Sequence, residues 1–88
     1  MDFNQAVITT KFVLESNSKI VYVVHSKSGW QFYGHEKQII EEDARVTSLG
    51  RIISTNSHVE DILWIPEGVE AWINPPNTQW QTGVAEPD

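Results

Sequence analysis

Three histidines, His25, His35 and His58, and a run of three acids, Glu41-Glu42-Asp43, are the residues of this 88-residue chain best suited to chemistry. Their spacing points away from it. No two histidines stand three or four residues apart, so no helix could turn a pair onto one metal. His35 with Glu36 comes nearest to a ligand pair, but neighbouring residues on a strand point to opposite sides. Acid–base work by paired carboxylates needs two groups facing each other across a cleft with their proton affinities pushed apart. Glu41, Glu42 and Asp43 are instead consecutive in a polar stretch and read as a solvated surface, with an acidic docking patch as the functional alternative. Ser26 and Ser28 lie too close to His25 for the usual arrangement of nucleophile and base, and no Gly-x-Ser-x-Gly elbow occurs. Gly29 and Gly34 bracket a strand instead of opening a helix, which leaves neither a dinucleotide fingerprint nor a phosphate loop. We expect no catalytic residue, no metal and no cofactor.

Composition narrows the partners. Twelve acids against six bases give a formal net charge of -6, which repels nucleic acid at long range and attracts a basic protein. Stacking of single-stranded nucleic acid on Trp30, Phe32 and Tyr33 is disfavoured for the same reason, since only Lys27 and Lys37 flank those rings. The absence of cysteine removes disulfides, thiol nucleophiles and thiolate metal sites, and suits a reducing compartment. No signal-like or membrane-spanning run is found. The expectation is one cytoplasmic domain over residues 1–88, with 1–5 and 81–88 as loose ends.

The elements that would position these residues are short. Ser28-Gly29-Trp30-Gln31-Phe32-Tyr33-Gly34 reads as an aromatic strand between turns, with Trp30 and Phe32 on the core face and Gln31 and Tyr33 on the other. Ala6 to Leu14 reads as a first strand with a break near Thr10 and Lys11. Lys19 to His25, apolar on both faces, reads as a central strand. Short turns between the three predict an antiparallel meander. Val46 to Leu49 could add a strand, Leu49 to Thr55 a helical turn, and Asn56 or Ser57 a cap for a further helix that buries Val59, Ile62 and Leu63 before Pro66. In Val69 to Ile73, alternation sets Glu70 and Trp72 opposite Val69, Ala71 and Ile73. The fold class that follows is α+β: a small antiparallel sheet of about four to five strands, with one or two short helices between the third strand and the last.

The order of these features resembles a family. The aromatic block, the acidic stretch ending near Val46-Thr47-Ser48-Leu49, then Ile52-Ile53, Val59-Glu60-Asp61-Ile62-Leu63, Pro66-Glu67-Gly68, Ala71-Trp72 and a late Trp80 together resemble a family of small bacterial immunity-like proteins. That family was first catalogued as a domain of unknown function and later grouped with immunity proteins encoded near polymorphic toxins. The resemblance covers most of Ile20 to Trp80 and implies a non-enzymatic α+β protein that binds a toxin, or a related partner, and blocks it; an acidic protein of this kind suits a basic toxin. It carries over no contact residues. From the residues themselves, the candidate partner-binding positions are Glu36, Glu41, Glu42 and Asp43, with Tyr33 and Trp72 as aromatic anchors on the face away from the core. The alternative is a self-associating structural domain, a homodimer paired through an apolar strand such as Ile20 to Val24.

Overall fold

The computed structural model describes residues 2–36 and 38–85. Strand β1 (Ala6–Thr10) runs directly into helix α1 (Lys11–Glu15). Thr10 ends the strand because its side chain accepts a hydrogen bond from the Val13 amide, one of the donors a helix start leaves unpaired. The expected strand over Ala6 to Leu14, with its break near Thr10 and Lys11, is corrected beyond that break: the faltering alternation at Thr10 marks a helix cap, and Lys11 to Leu14 are helical. Strands β2 (Tyr22–Ser26) and β3 (Gly29–Tyr33) then form a hairpin, in register from Ser26↔Gly29 to Tyr22↔Tyr33. Strand β4 (Ala44–Ser48), helix α2 (Leu49–Thr55), a 3₁₀ segment (Ser57–Ile62) and strands β5 (Val69–Trp72) and β6 (Gln81–Val84) complete the chain.

The sheet has six strands in the order β4-β1-β3-β2-β5-β6. It is mixed, since β3 runs parallel to β1 while all other neighbours are antiparallel. The expected meander is therefore wrong in one respect. Helix α1 lifts the chain off the sheet before β2 begins, so β2 need not lie beside β1, and the hairpin returns β3 into the gap. The strand number also exceeds the expected four to five. The expected loose end at 81–88 supplies β6 over Gln81–Val84, and residues 3–5 are held as well, with the amides of Leu49 and Gly50 donating to the carbonyls of Gln5 and Phe3. Residues 1 and 86–88 lie outside the described residues. No helix among the described residues is long and apolar enough to cross a membrane.

Alternation sorts the sheet into two faces. Val7, Val23, Trp30, Phe32 and Ala71 point to one, where they meet Val13, Leu49, Ile52, Val59, Ile62 and Ile65 from the helical segments and the loop beyond. Trp30 and Phe32 are core side chains, as their alternation predicts. At about 25 cal/mol per Å² of apolar surface withdrawn from water, two such rings weigh heavily in a domain this small. The buried Thr9 hydroxyl donates to the Phe32 carbonyl at 2.8 Å and so enters the core with its polar group satisfied.

The stretch between α1 and β2 crosses this core without being part of a strand. Ile20 is fully buried there, yet both its peptide groups are paired by side chains from far along the chain. Its amide donates to Asn56 Oδ1 at 3.1 Å, and its carbonyl accepts from His58 Nε2 at 2.7 Å. Asn56, with Ser57 as the alternative, is the expected cap of a helix. It does stand at the N-cap of the 3₁₀ segment, but its side chain makes no capping bond and serves Ile20 instead. Trp80 extends the arrangement, stacking on His58 with centroids 5.7 Å apart and donating from Nε1 to the His58 carbonyl. Removing the amide side chain strands a buried donor, at a cost of about 1–3 kcal/mol. Urea denaturation of Asn56→Ala is expected to show a lowered midpoint of that size with an unchanged slope, whereas Ser57→Ala at the exposed neighbour should stay within about 0.5 kcal/mol of the parent.

Candidate binding face

The helical segments cover one face of the sheet and leave the other open. On that open face the register aligns two rows of side chains across the strands. One row runs Val46, Ile8, Gln31, Val24, Glu70, Gly83; the other runs Tyr33, Tyr22, Trp72, Gln81. Val46 is 72% exposed and Ile8 36%, Gln81 is exposed, and Gln31, Val24, Glu70, Tyr33, Tyr22 and Trp72 are partly buried. Among the described residues, no strand position in either row carries a lysine or arginine.

Each ring in the aromatic row is held by a neighbour. The Tyr22 hydroxyl donates to Glu70 Oε2 at 2.5 Å, and the Tyr33 hydroxyl donates to Gln31 Oε1 at 2.9 Å. Tyr22 and Tyr33 lie with ring centroids 5.9 Å apart and planes inclined by 30°. Trp72 rests over Gly83, where a Cβ would approach the indole Cη2 to 3.2 Å. Glycine at 83 is what lets the ring lie flat across β6. Beside the tyrosines is a shallow hollow lined by Tyr22, Val24, Gln31, Tyr33, Gly34, Glu36 and Ile39. The Glu36 carboxylate accepts from the Ser18 hydroxyl, and its Oε1 is buried with no partner among the described residues.

The six residues singled out from the sequence are therefore placed differently from one another. Tyr33 and Trp72 stand on the open face, joined through Tyr22, and Glu36 walls the hollow beside them. Glu41 and Glu42 are exposed in a 3₁₀ turn (Glu41–Asp43). Asp43 departs from the expected solvated surface, being only 6% exposed. One carboxylate oxygen meets Lys11 Nζ at 3.3 Å and the other accepts the Ile40 amide at 3.1 Å, so Asp43 closes the turn before β4. Tyr22, Val24 and Glu70 were missed from the sequence. The two-residue turn Lys27-Ser28 fixes Tyr22 opposite Tyr33 and was the available signal.

Neither His25 nor His58 reaches this face. His25 stacks on Trp30 with centroids 4.0 Å apart, its Nδ1 2.8 Å from the Ile65 carbonyl, while His58 serves Ile20. No group of three or more histidine, aspartate or glutamate side chains converges for a metal among the described residues. Another large exposed ring, Trp64 at 68%, shares a groove with Trp80, Asp61, Thr78, Gln79 and Thr82, in which polar side chains outnumber apolar ones.

Burial, with the hydrogen bond to Glu70 and that carboxylate's charge, pushes the Tyr22 phenol up to about 12, and burial also raises Tyr33. Because the folded pKa of Tyr22 lies above its ordinary value of 10.0, its contribution to stability is full below about pH 10 and is lost as pH rises toward 12. Ultraviolet titration of the two tyrosines should show the later step near pH 12; Tyr22→Phe removes it, and Glu70→Gln moves it to lower pH. No protein-family model, curated protein or solved structure matches this chain.

Proposed function

We propose that this chain is a non-enzymatic binding module that engages a protein partner through the open face of its sheet. The observation that carries the reading is the aromatic and aliphatic surface formed by Tyr33, Tyr22, Trp72, Ile8 and Val46, which no helical segment covers. Tyrosine and tryptophan on a rigid sheet are the side chains that most often anchor protein interfaces. Six strands about 4.8 Å apart and some 16 Å long present roughly 400 Å² in projection. Gly34, Glu36 and Ile39 adjoin this surface through the hollow they line with Tyr22 and Tyr33, and Glu41 and Glu42 are exposed in the turn that follows.

Charge supports a basic partner. The carboxylates Glu36 and Glu70 stand on this face without a strand lysine or arginine to offset them, and the chain carries a net charge of -6. In the form to which the sequence resemblance points, the partner is a basic toxin domain and binding neutralises it. Complementary charge of this kind raises association rates toward about 10⁸–10⁹ M⁻¹s⁻¹ at low salt.

A second reading, self-association, is favoured by the exposure of Val46 and Val84 on the two edge strands β4 and β6, which carry no proline. Pairing through Ile20 to Val24 is not open to a second copy, because β2 lies between β3 and β5.

Co-purification from the native cell with this domain as bait, followed by calorimetry on the captured protein, separates the readings. Tyr33→Ala and Val46→Lys are each expected to weaken binding by about tenfold or more, while Arg51→Glu on the exposed side of α2 leaves it unchanged. Full affinity in both face variants would remove the open face from the reading, and a concentration-dependent dimer by light scattering would favour self-association. Reversal of Glu41 and Glu42 to lysine should slow association severalfold and flatten its salt dependence without changing dissociation. Unaltered association kinetics would exclude that turn from the contact.

A further inference from the structure

We propose that the hollow between Tyr22, Tyr33 and Glu36 receives a cationic side chain, arginine or lysine, projecting from the partner. This inference rests on the open-face reading and names the chemistry at its centre. Two tyrosine rings form one wall of the hollow, and the faces of such rings attract a cation through their quadrupole. Val24 and Ile39 line it as well and give the methylene stem of a long basic side chain apolar surface to lie on. Among the described residues that line the hollow there is no lysine or arginine.

Glu36 supplies the charge. Ser18 fixes one carboxylate oxygen, and the other is withdrawn from water with no donor among the described residues. The hollow adjoins this carboxylate, and a cation arriving there meets its negative charge. Gly34 is what allows the group to lie there, since a Cβ at that residue would stand 2.6 Å from Glu36 Oε1. Glu70 contributes a second negative charge on the same face. By accepting a hydrogen bond from the Tyr22 hydroxyl it also leaves the ring more electron-rich and hence a better seat for a cation. A guanidinium, being planar, can stack on a tyrosine ring, which ranks arginine ahead of lysine.

The test is a titration of the isotopically labelled full chain by two-dimensional NMR with N-acetyl-arginine methylamide, N-acetyl-lysine methylamide and the neutral N-acetyl-citrulline methylamide. The arginine probe is expected to shift the amides of Tyr22, Tyr33 and Glu36 saturably, with citrulline about tenfold weaker or worse, and added salt should weaken only the charged probes. Glu36→Gln, nearly isosteric, should cost the arginine probe about tenfold, and Tyr33→Leu should abolish its effect. Equal binding of citrulline, shifts confined to the helical side, or an unchanged response in a folded Glu36→Gln each overturn the inference. If the probes do not bind while the captured partner still loses affinity with Val46→Lys, the cation site alone fails. If that sensitivity is also missing, the open-face reading fails with it.

Discussion

The pairing of Ile20's two peptide groups by Asn56 and His58 is the constraint on which the rest of the molecule depends. The segment joining α1 to β2 must pass through apolar surroundings, where an unpaired amide or carbonyl is penalised and no strand neighbour is offered. Side chains from the α2–3₁₀ junction satisfy both groups. One short contact thus fastens the first third of the chain to the segment that crosses the helical side of the sheet. Trp80, bonded to the His58 carbonyl, carries the fastening on to the approach to β6. With that crossing in place, β2 can start two strand spacings from β1 and β3 can fill the space between.

Charges do comparable work at the opposite edge. Lys11 meets Asp43 at 3.3 Å, and Arg45 meets Glu15 at 3.2 Å, so both ends of α1 are tied to the turn and strand that begin at Glu41. The second pair is exposed and contributes little to stability. Asp43 matters more because its carboxylate also accepts the Ile40 amide and so determines how the chain enters β4. Acids that look equivalent in the sequence have separate duties: Asp43 shapes the fold, Glu36 is held in place by Ser18, and Glu41 and Glu42 remain in solvent.

Much of this architecture was legible in local pattern. The hairpin, the core placement of Trp30 and Phe32, the helical turn from Leu49, the break at Asn56 and the two faces of β5 all follow from alternation, capping residues and turn chemistry. What escaped was decided by distant partners. Nothing near Asn56 announces that its side chain will serve Ile20, thirty-six residues earlier. Strand β6, Gln-Thr-Gly-Val, lies on an edge and is mostly exposed, so it shows no apolar alternation and is a strand only because β5 offers it a ladder. The insertion of β3 beside β1 is equally invisible locally, since a meander satisfies the same pattern. On the open face the sequence marks Tyr33 and Trp72, but the bridging Tyr22 reads as part of a strand apolar on both sides.

The tethering of each large ring on the open face has a thermodynamic consequence. Tyr22 is held by Glu70, Tyr33 by Gln31, and Trp72 by the flat seat over Gly83. Side chains already confined to one rotamer surrender little freedom when a partner arrives, and each mobile side chain immobilised at an interface forfeits about 0.5–1.5 kcal/mol. Three rings set in advance make this surface preorganised, so in the association proposed above the entropic penalty falls chiefly on the partner.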